Sequence, residues 1–174
     1  QNLLYDRYDL WKVNPTDGRA VRLTDGRPRK QQYRYLNAKD SEDDAGIRTG
    51  ETVFLSVFDE TTKKNGVASF VMDKDKSFRT LAFGGYTYSG FAKAKNTPLY
   101  AYQKGNFQEP MDLYVTDFGK FTERITFINP QQKDYNWGTV ELYHWTSYDG
   151  RPLEGLLYKP EDFDATKKYP TLLF

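Results

Sequence analysis

DLYVTDFGKFTERIT, residues 112–126, repeats an earlier stretch of the chain, DLWKVNPTDGRAVRLTDG at 9–26. Asp9, Leu10 and Trp11 match Asp112, Leu113 and Tyr114 at an offset of 103, and Arg22, Leu23 and Thr24 match Arg124, Ile125 and Thr126 at an offset of 102. In the first copy a strand over 9–13 is broken by Asn14, Pro15, Asp17 and Gly18. A second strand over 20–23 follows, and Thr24, Asp25 and Gly26 then turn the chain again. Such spacing predicts a hairpin with turn chemistry at both ends. A short aromatic strand precedes each copy, at Leu3 to Tyr5 and at Leu99 to Tyr102.

Between the copies lies TVFLSVFDETTKKNGVASFVM, residues 52–72, a further hairpin in which Val53, Leu55 and Val57 share one strand face. Thr52, Phe54, Ser56 and Phe58 share the other, and Asn65 and Gly66 are expected on the turn side. One full unit between the two matching hairpins sets the repeat at roughly 50 residues, the length of a four-stranded propeller blade. The expected fold is mainly β, with about two blades of a partial β-propeller over residues 1–130. A β-sandwich with two hairpins alike by chance is the alternative.

Composition agrees with strands and narrows the chemistry. Fourteen Tyr, 12 Phe and 3 Trp stand among many Thr, Val, Asp and Gly, the vocabulary of twisted antiparallel strands and tight turns. With no cysteine, disulfides, thiolate zinc ligands and a thiol nucleophile are excluded. Twenty-five Lys plus Arg against 24 Asp plus Glu leave a formal charge of +1 with the signs interspersed, so charge offers no reason to expect nucleic acid or an anionic membrane as partner. No apolar run approaches the roughly 20 residues of a membrane helix, so a soluble chain, with any export signal already missing, is expected. The compartment stays undecided, because lack of cysteine suits a reducing cytosol and a periplasm equally.

After Asn129 and Pro130 the pattern changes. A polar connection, QQKDYNWG, leads to TVELYHWTSYDGRPLEGLLYKP, two strands folded about Tyr148, Asp149 and Gly150. Val140, Leu142 and His144 alternate with Glu141, Tyr143 and Trp145, while Leu153, Gly155 and Leu157 alternate with Glu154, Leu156 and Tyr158. PEDFDATKKYP reads as a surface loop between Pro160 and Pro170, and TLLF as an apolar strand.

Taken together, a DLYVTD-type hairpin, a strand ending W-T-S-Y-D-G, then L-E-G-L-L-Y-K-P, F-D and K-K-Y-P resemble the junction in serine peptidases of the prolyl oligopeptidase family. The resemblance is strongest to their dipeptidyl peptidase IV-like and acylaminoacyl peptidase-like bacterial members. It implies C-terminal propeller blades over 1–130, and over 131–174 a linker and the first strands of an α/β-hydrolase domain. In such enzymes the propeller caps the hydrolase domain, and peptides reach a Ser-Asp-His triad between the two. A periplasmic or secreted parent that cleaves dipeptides or acyl-amino acids from short peptides fits the resemblance.

The catalytic parts are not expected in this stretch. None of Ser41, Ser56, Ser69, Ser77, Ser89 and Ser147 has glycine at both i−2 and i+2, so none forms the G-x-S-x-G nucleophile elbow. The oxyanion-hole group would follow Phe174, and no residues match the acidic anchor for a free amino terminus. No catalytic, cofactor-binding or metal-binding residue and no cofactor is therefore assigned, and the chain is expected to be an inactive fragment of a peptidase. The reading from a different class is a stand-alone propeller-like or sandwich module that binds peptide or glycan through exposed aromatics. An incomplete propeller leaves strand edges unpaired, so a homodimer or strand exchange is expected.

Three local patterns invite sharper readings. His144, Ser147 and Asp149 are close in sequence, but His144 and Ser147 lie an odd number of positions apart and face opposite sides of a strand, which predicts a partly buried strand histidine rather than a triad. DSEDDAGIRTGE, residues 40–51, puts Asp40, Glu42, Asp44 and Glu51 at calcium-loop positions. Ala45 stands where the loop needs glycine, with Gly46 one place late, so a solvated acidic loop is expected. Tyr33 and Tyr35, Tyr86 and Tyr88, and Tyr100 and Tyr102 could stack against a ligand, although packing between sheets is their commoner use. Gly84 and Gly85 lack a phosphate-loop pattern and are expected to permit a bend.

Overall fold

The structure, a computed structural model, describes residues 2–38 and 46–173. It is mainly β, with four open antiparallel sheets and two short 3-10 turns at Arg27–Arg29 and Pro130–Asp134. Sheet I contains β1 (Asn2–Tyr5), β2 (Leu10–Val13) and β3 (Ala20–Arg22). Sheet II contains β4 (Gln31–Leu36), β5 (Thr52–Asp59), β6 (Asn65–Val71) and β7 (Arg79–Gly84). Sheet III contains β8 (Thr87–Lys93), β9 (Tyr100–Gly105), β10 (Asp112–Thr116) and β11 (Thr122–Arg124). Sheet IV is the hairpin of β12 (Thr139–Thr146) and β13 (Pro152–Lys159). Within each sheet, strands adjacent in sequence are adjacent in space. No helix among the described residues is long and apolar enough to cross a membrane.

Contacts divide the chain into two compact units, Gln1–Ile128 and Asn129–Phe174. In the first, the period-2 pattern of β5 sends side chains into two separate cores. Val53, Leu55 and Val57 are buried with Ala68, Phe70 and Met72, together with Tyr33 and with Leu10 from sheet I. On the opposite face Phe54 meets Tyr100 and Phe118 of the sheet III region, with ring centroids 4.7 and 5.3 Å apart. Sheet II is thus covered on both faces, which explains why β5 and β6 are buried almost throughout. The turn between them lies at 60–64, with Lys63 left-handed, and is held by Asp59, whose carboxylate accepts the N–H groups of Thr61 and Thr62 at 3.0 and 2.8 Å. Asn65 and Gly66 lie on the turn side of the hairpin and begin β6, where Gly66 lies under the Phe83 backbone and a Cβ would meet Ala82 O at 2.5 Å. The close strand approach there requires glycine.

The repeated motif is a clasp on the last, three-residue strand of its sheet. Asp9 Oδ1 accepts the Thr24 hydroxyl at 2.8 Å and the Gly26 N–H at 2.6 Å, while the Leu10 N–H donates to Thr24 Oγ1 at 3.0 Å. In the second copy Asp112 Oδ1 accepts the Thr126 hydroxyl at 2.7 Å and the Ile128 N–H at 3.0 Å, and the Leu113 N–H donates to Thr126 Oγ1 at 2.8 Å. Leu23 and Ile125 close the pattern by donating backbone N–H groups to Leu10 O and Leu113 O. Three residues of ladder hold an outer strand weakly, and the buried carboxylate adds an anchor beyond the ladder. The copies differ at Oδ2. Arg124 pairs with Asp112 Oδ2, whereas Arg22 turns to Asp25 at 3.1 Å and leaves Asp9 Oδ2 buried without a hydrogen bond.

Sheets I and II are also joined by ions. Arg7 donates two hydrogen bonds to Glu60, at 2.8 and 2.9 Å, and the Tyr8 hydroxyl and Gln32 amide donate to the same carboxylate. The Arg7 guanidinium and Gln32 hold Glu60 down at about 2. Asp6, which caps the N–H groups of Asp9 and Tyr8, is also held well below the usual carboxylate range. For Asp112, burial opposes ionisation, but Ile128, Thr126 and Arg124 together outweigh it and keep the carboxyl low.

In the second unit, β12 and β13 pair along their whole length, from Thr139 opposite Lys159 to Thr146 opposite Pro152. Gly150, left-handed at φ 82°, forms the reversal, with the Ser147 N–H donating to Arg151 O at 2.8 Å. Trp145 lies across Gly155, where a Cβ would stand 3.3 Å from the indole. The expected strand at TLLF is absent from the described residues 171–173, which have no ladder partner. Leu172 and Leu173 are almost fully exposed. An apolar run becomes a strand only when a neighbour supplies its hydrogen bonds.

Two outcomes test this account. Asp112→Ala removes a buried acceptor and leaves Thr126, Ile128 and Arg124 unpaired, so it should cost about 2–4 kcal/mol in urea unfolding. Asp9→Ala, which also relieves an orphaned oxygen, should cost less, about 1–2 kcal/mol. Because Asp6, Glu60 and Asp112 are depressed on folding, their contribution is present above the ordinary carboxylate range and lost as pH falls through the folded values. Thermal melts should therefore be flat between neutrality and pH 4.5 and fall steeply from there toward pH 2, the span of the Glu60 shift.

Candidate functional site

A cleft of about 450 Å³ with polar and apolar walls lies between sheets II and III of the first unit. Its walls follow from strand register. Phe54 lies opposite Ser69, and Ser69 opposite Arg79, so all three project from the same face of sheet II. Thr52 and Val71 continue that face toward the β6–β7 loop. Sheet III and its loops contribute Pro98, Tyr100, Asp117 and Phe118.

The β6–β7 loop is built around Ser77. The Ser77 hydroxyl donates to Lys74 O at 2.7 Å and accepts the Val71 N–H at 2.9 Å, while Asp73 and Lys76 take left-handed backbone conformations. This shape brings Lys74 and Lys76 to the same cleft as Arg79. The side chains of these three cations have no ion pair or hydrogen bond among the described residues. Opposite them, Asp117 is committed to its own turn, accepting the N–H groups of Gly119 and Phe121 at 2.7 and 2.9 Å, and the Phe121 bond above all keeps its carboxyl below the usual range. Ser69 is 7% exposed, and its hydroxyl has no partner among the described residues. A smaller cavity of about 190 Å³ shares Thr52, Phe54 and Tyr100 and extends past Tyr35, Ala38 and Lys93.

The paired tyrosines lie mainly in sheet packing. Tyr33 is buried edge-on against Phe78, and Tyr102 stacks with Phe91 and Tyr114 at 5.5 and 5.6 Å. Tyr86 donates to Glu109 and has the Lys104 ammonium 4.0 Å from its ring centre. Gly85 bends the chain where it leaves sheet II for sheet III.

His144 is 65% exposed at its side chain, not partly buried, since its hairpin face carries no covering layer among the contacts of the second unit. It stands opposite Glu154, 4.0 Å from Nδ1 to the carboxylate. Ser147 is tied into the turn by hydrogen bonds to Asp149 and to Arg151 O, so its hydroxyl is engaged away from the imidazole. Of the calcium-loop positions, Asp40, Glu42, Asp44 and Ala45 lie outside the described residues. Among the described residues no group of three or more His, Asp or Glu side chains could hold a metal. No local spacing or motif in the sequence singles out Lys74, Lys76 and Arg79. Only a register that skips Leu81 at the Val67/Ala68 bulge puts Arg79 beside Ser69.

No protein-family model matches the chain, and no curated protein matches it. Among solved structures, a variant of the AtxE2 isopeptidase with astexin3-dC4 bound is similar over 93% of this chain, with a TM-score of 0.61 and 13% identity. The chain spans 23% of the length of that structure. At this identity the likeness is one of fold: a mainly β arrangement shared with part of an isopeptidase.

Proposed function

We propose that this chain is part of a serine-type peptidase of the prolyl oligopeptidase kind. Residues 1–130 are blades of its β-propeller, and 131–174 lead into its α/β-hydrolase domain. The observation that carries the proposal is the likeness over 93% of the chain to one portion of an isopeptidase. The clasp that recurs at an offset of 103, with one four-stranded sheet between its copies, supports a blade-like repeat. The W-T-S-Y-D-G and L-E-G-L-L-Y-K-P strands support the domain junction, and they pair as β12 and β13.

In this reading the propeller limits which peptides reach the triad, and the nucleophile, acid and base are supplied by sequence other than this chain. The purified chain should neither hydrolyse chromogenic dipeptide and acyl-amino-acid substrates nor react with a fluorophosphonate probe. The full-length protein should do both, with a G-x-S-x-G elbow followed by Asp and then His in its coding sequence after Phe174. Triad-type turnover by the chain alone, or a coding sequence without the elbow, refutes the proposal. Unpaired blade edges also favour self-association of the isolated chain. Light scattering should show its mass rising toward that of a dimer with concentration, and a constant monomer mass refutes that part.

A further inference from the structure

The cleft between sheets II and III has no role in the peptidase reading, and its chemistry is specific enough to name a ligand class. We propose that it binds an acidic peptide segment, with carboxylates held by Lys74, Lys76 and Arg79 and an intervening apolar side chain seated on Phe54, Tyr100 and Phe118.

Three observations converge on it. The side chains of the three cations are unpaired among the described residues, whereas Asp117, the acid of the same lining, is committed to its own turn by two backbone N–H groups. A cationic cluster without local compensation attracts an anion most strongly where low-dielectric walls focus its field. Ser69, on the register line between Phe54 and Arg79, has a hydroxyl that takes no protein partner among the described residues and stays open to the cleft. It lies where the aromatic floor meets the charged wall and is placed to hydrogen-bond a carbonyl or carboxylate.

The floor decides between a bare anion and a larger ligand. Phe54, Tyr100, Phe118, Pro98 and Val71 offer apolar surface beside the cations, and the volume of about 450 Å³ falls in the range of small-ligand sites. An inorganic anion would satisfy the charges and leave that surface wet. An extended acidic peptide meets both, since its alternating side chains can deliver charge to one wall and an apolar group to the floor.

The test is isothermal calorimetry on the whole chain with N-acetylated Glu-Phe-Glu amide, at about 20 mM and about 300 mM salt. The Debye length contracts several-fold between these conditions, so affinity should fall at least about fivefold. Gln-Phe-Gln and Glu-Gly-Glu should each bind at least about fivefold more weakly, and inorganic phosphate more weakly than Glu-Phe-Glu, because each lacks one half of the recognition. The Lys74→Gln, Arg79→Gln double variant should lose about five- to tenfold in affinity with its circular dichroism unchanged, while Arg19→Gln, on the β2–β3 hairpin, should bind like the parent. Absence of binding, equal binding by the double variant, or phosphate binding as tightly as the peptide each overturns the proposal. Catalysis is not involved, so failure here leaves the peptidase reading intact, and failure of that reading leaves this one standing.

Discussion

Val53, Leu55 and Val57 leave β5 on one side and Phe54 on the other, and neither side can meet water without forfeiting the burial that stabilises the unit. A strand with both faces apolar demands a layer above and a layer below. Sheet I supplies one through Leu10, with Leu3 and Leu23 packed around it, and the sheet III region supplies the other through Tyr100 and Phe118. The three meanders of the first unit are therefore obliged to stack. Their short connections, such as the bend at Gly85, keep each sheet next to the one that precedes it in sequence.

Stacking alone does not keep an outer strand in place. At β3 and β11 the chain uses the same device twice: a buried aspartate that gathers a threonine hydroxyl and a backbone N–H from beyond the strand. The copies have diverged where the arginine goes. Arg124 completes its carboxylate, whereas Arg22 pairs outward with Asp25, so the same residue at the same register serves two different partners. A repeated sequence motif conserves the hydrogen bonds that any outer strand needs and leaves the remaining charge to local circumstance.

The inter-sheet cleft arises from the same stacking. Phe54, Tyr100 and Phe118 close its floor because the sheets must touch there, while the Ser77-centred loop carries Lys74 and Lys76 to its rim. Neither the aromatic residues nor the lysines define a site individually. Packing between sheets places uncompensated charge next to apolar surface, and that pairing carries the chemical meaning.

The hairpin repeat, the two faces of β5 and the long hairpin after Asn129 are legible in the residues alone, because alternation and turn chemistry are local properties that each segment carries with it. The rest depends on the folded arrangement. It pressed Gly66 under the Phe83 backbone, left residues 171–173 without a ladder, and exposed His144, since close approach, pairing and cover depend on neighbours distant in sequence. It also decided that Asp9 and Asp112 are anchors and that Arg79 stands beside Ser69. Buried carboxylates and bulge-shifted registers have no local signature, because their partners lie about ten or more residues away and are fixed only when the strands pair.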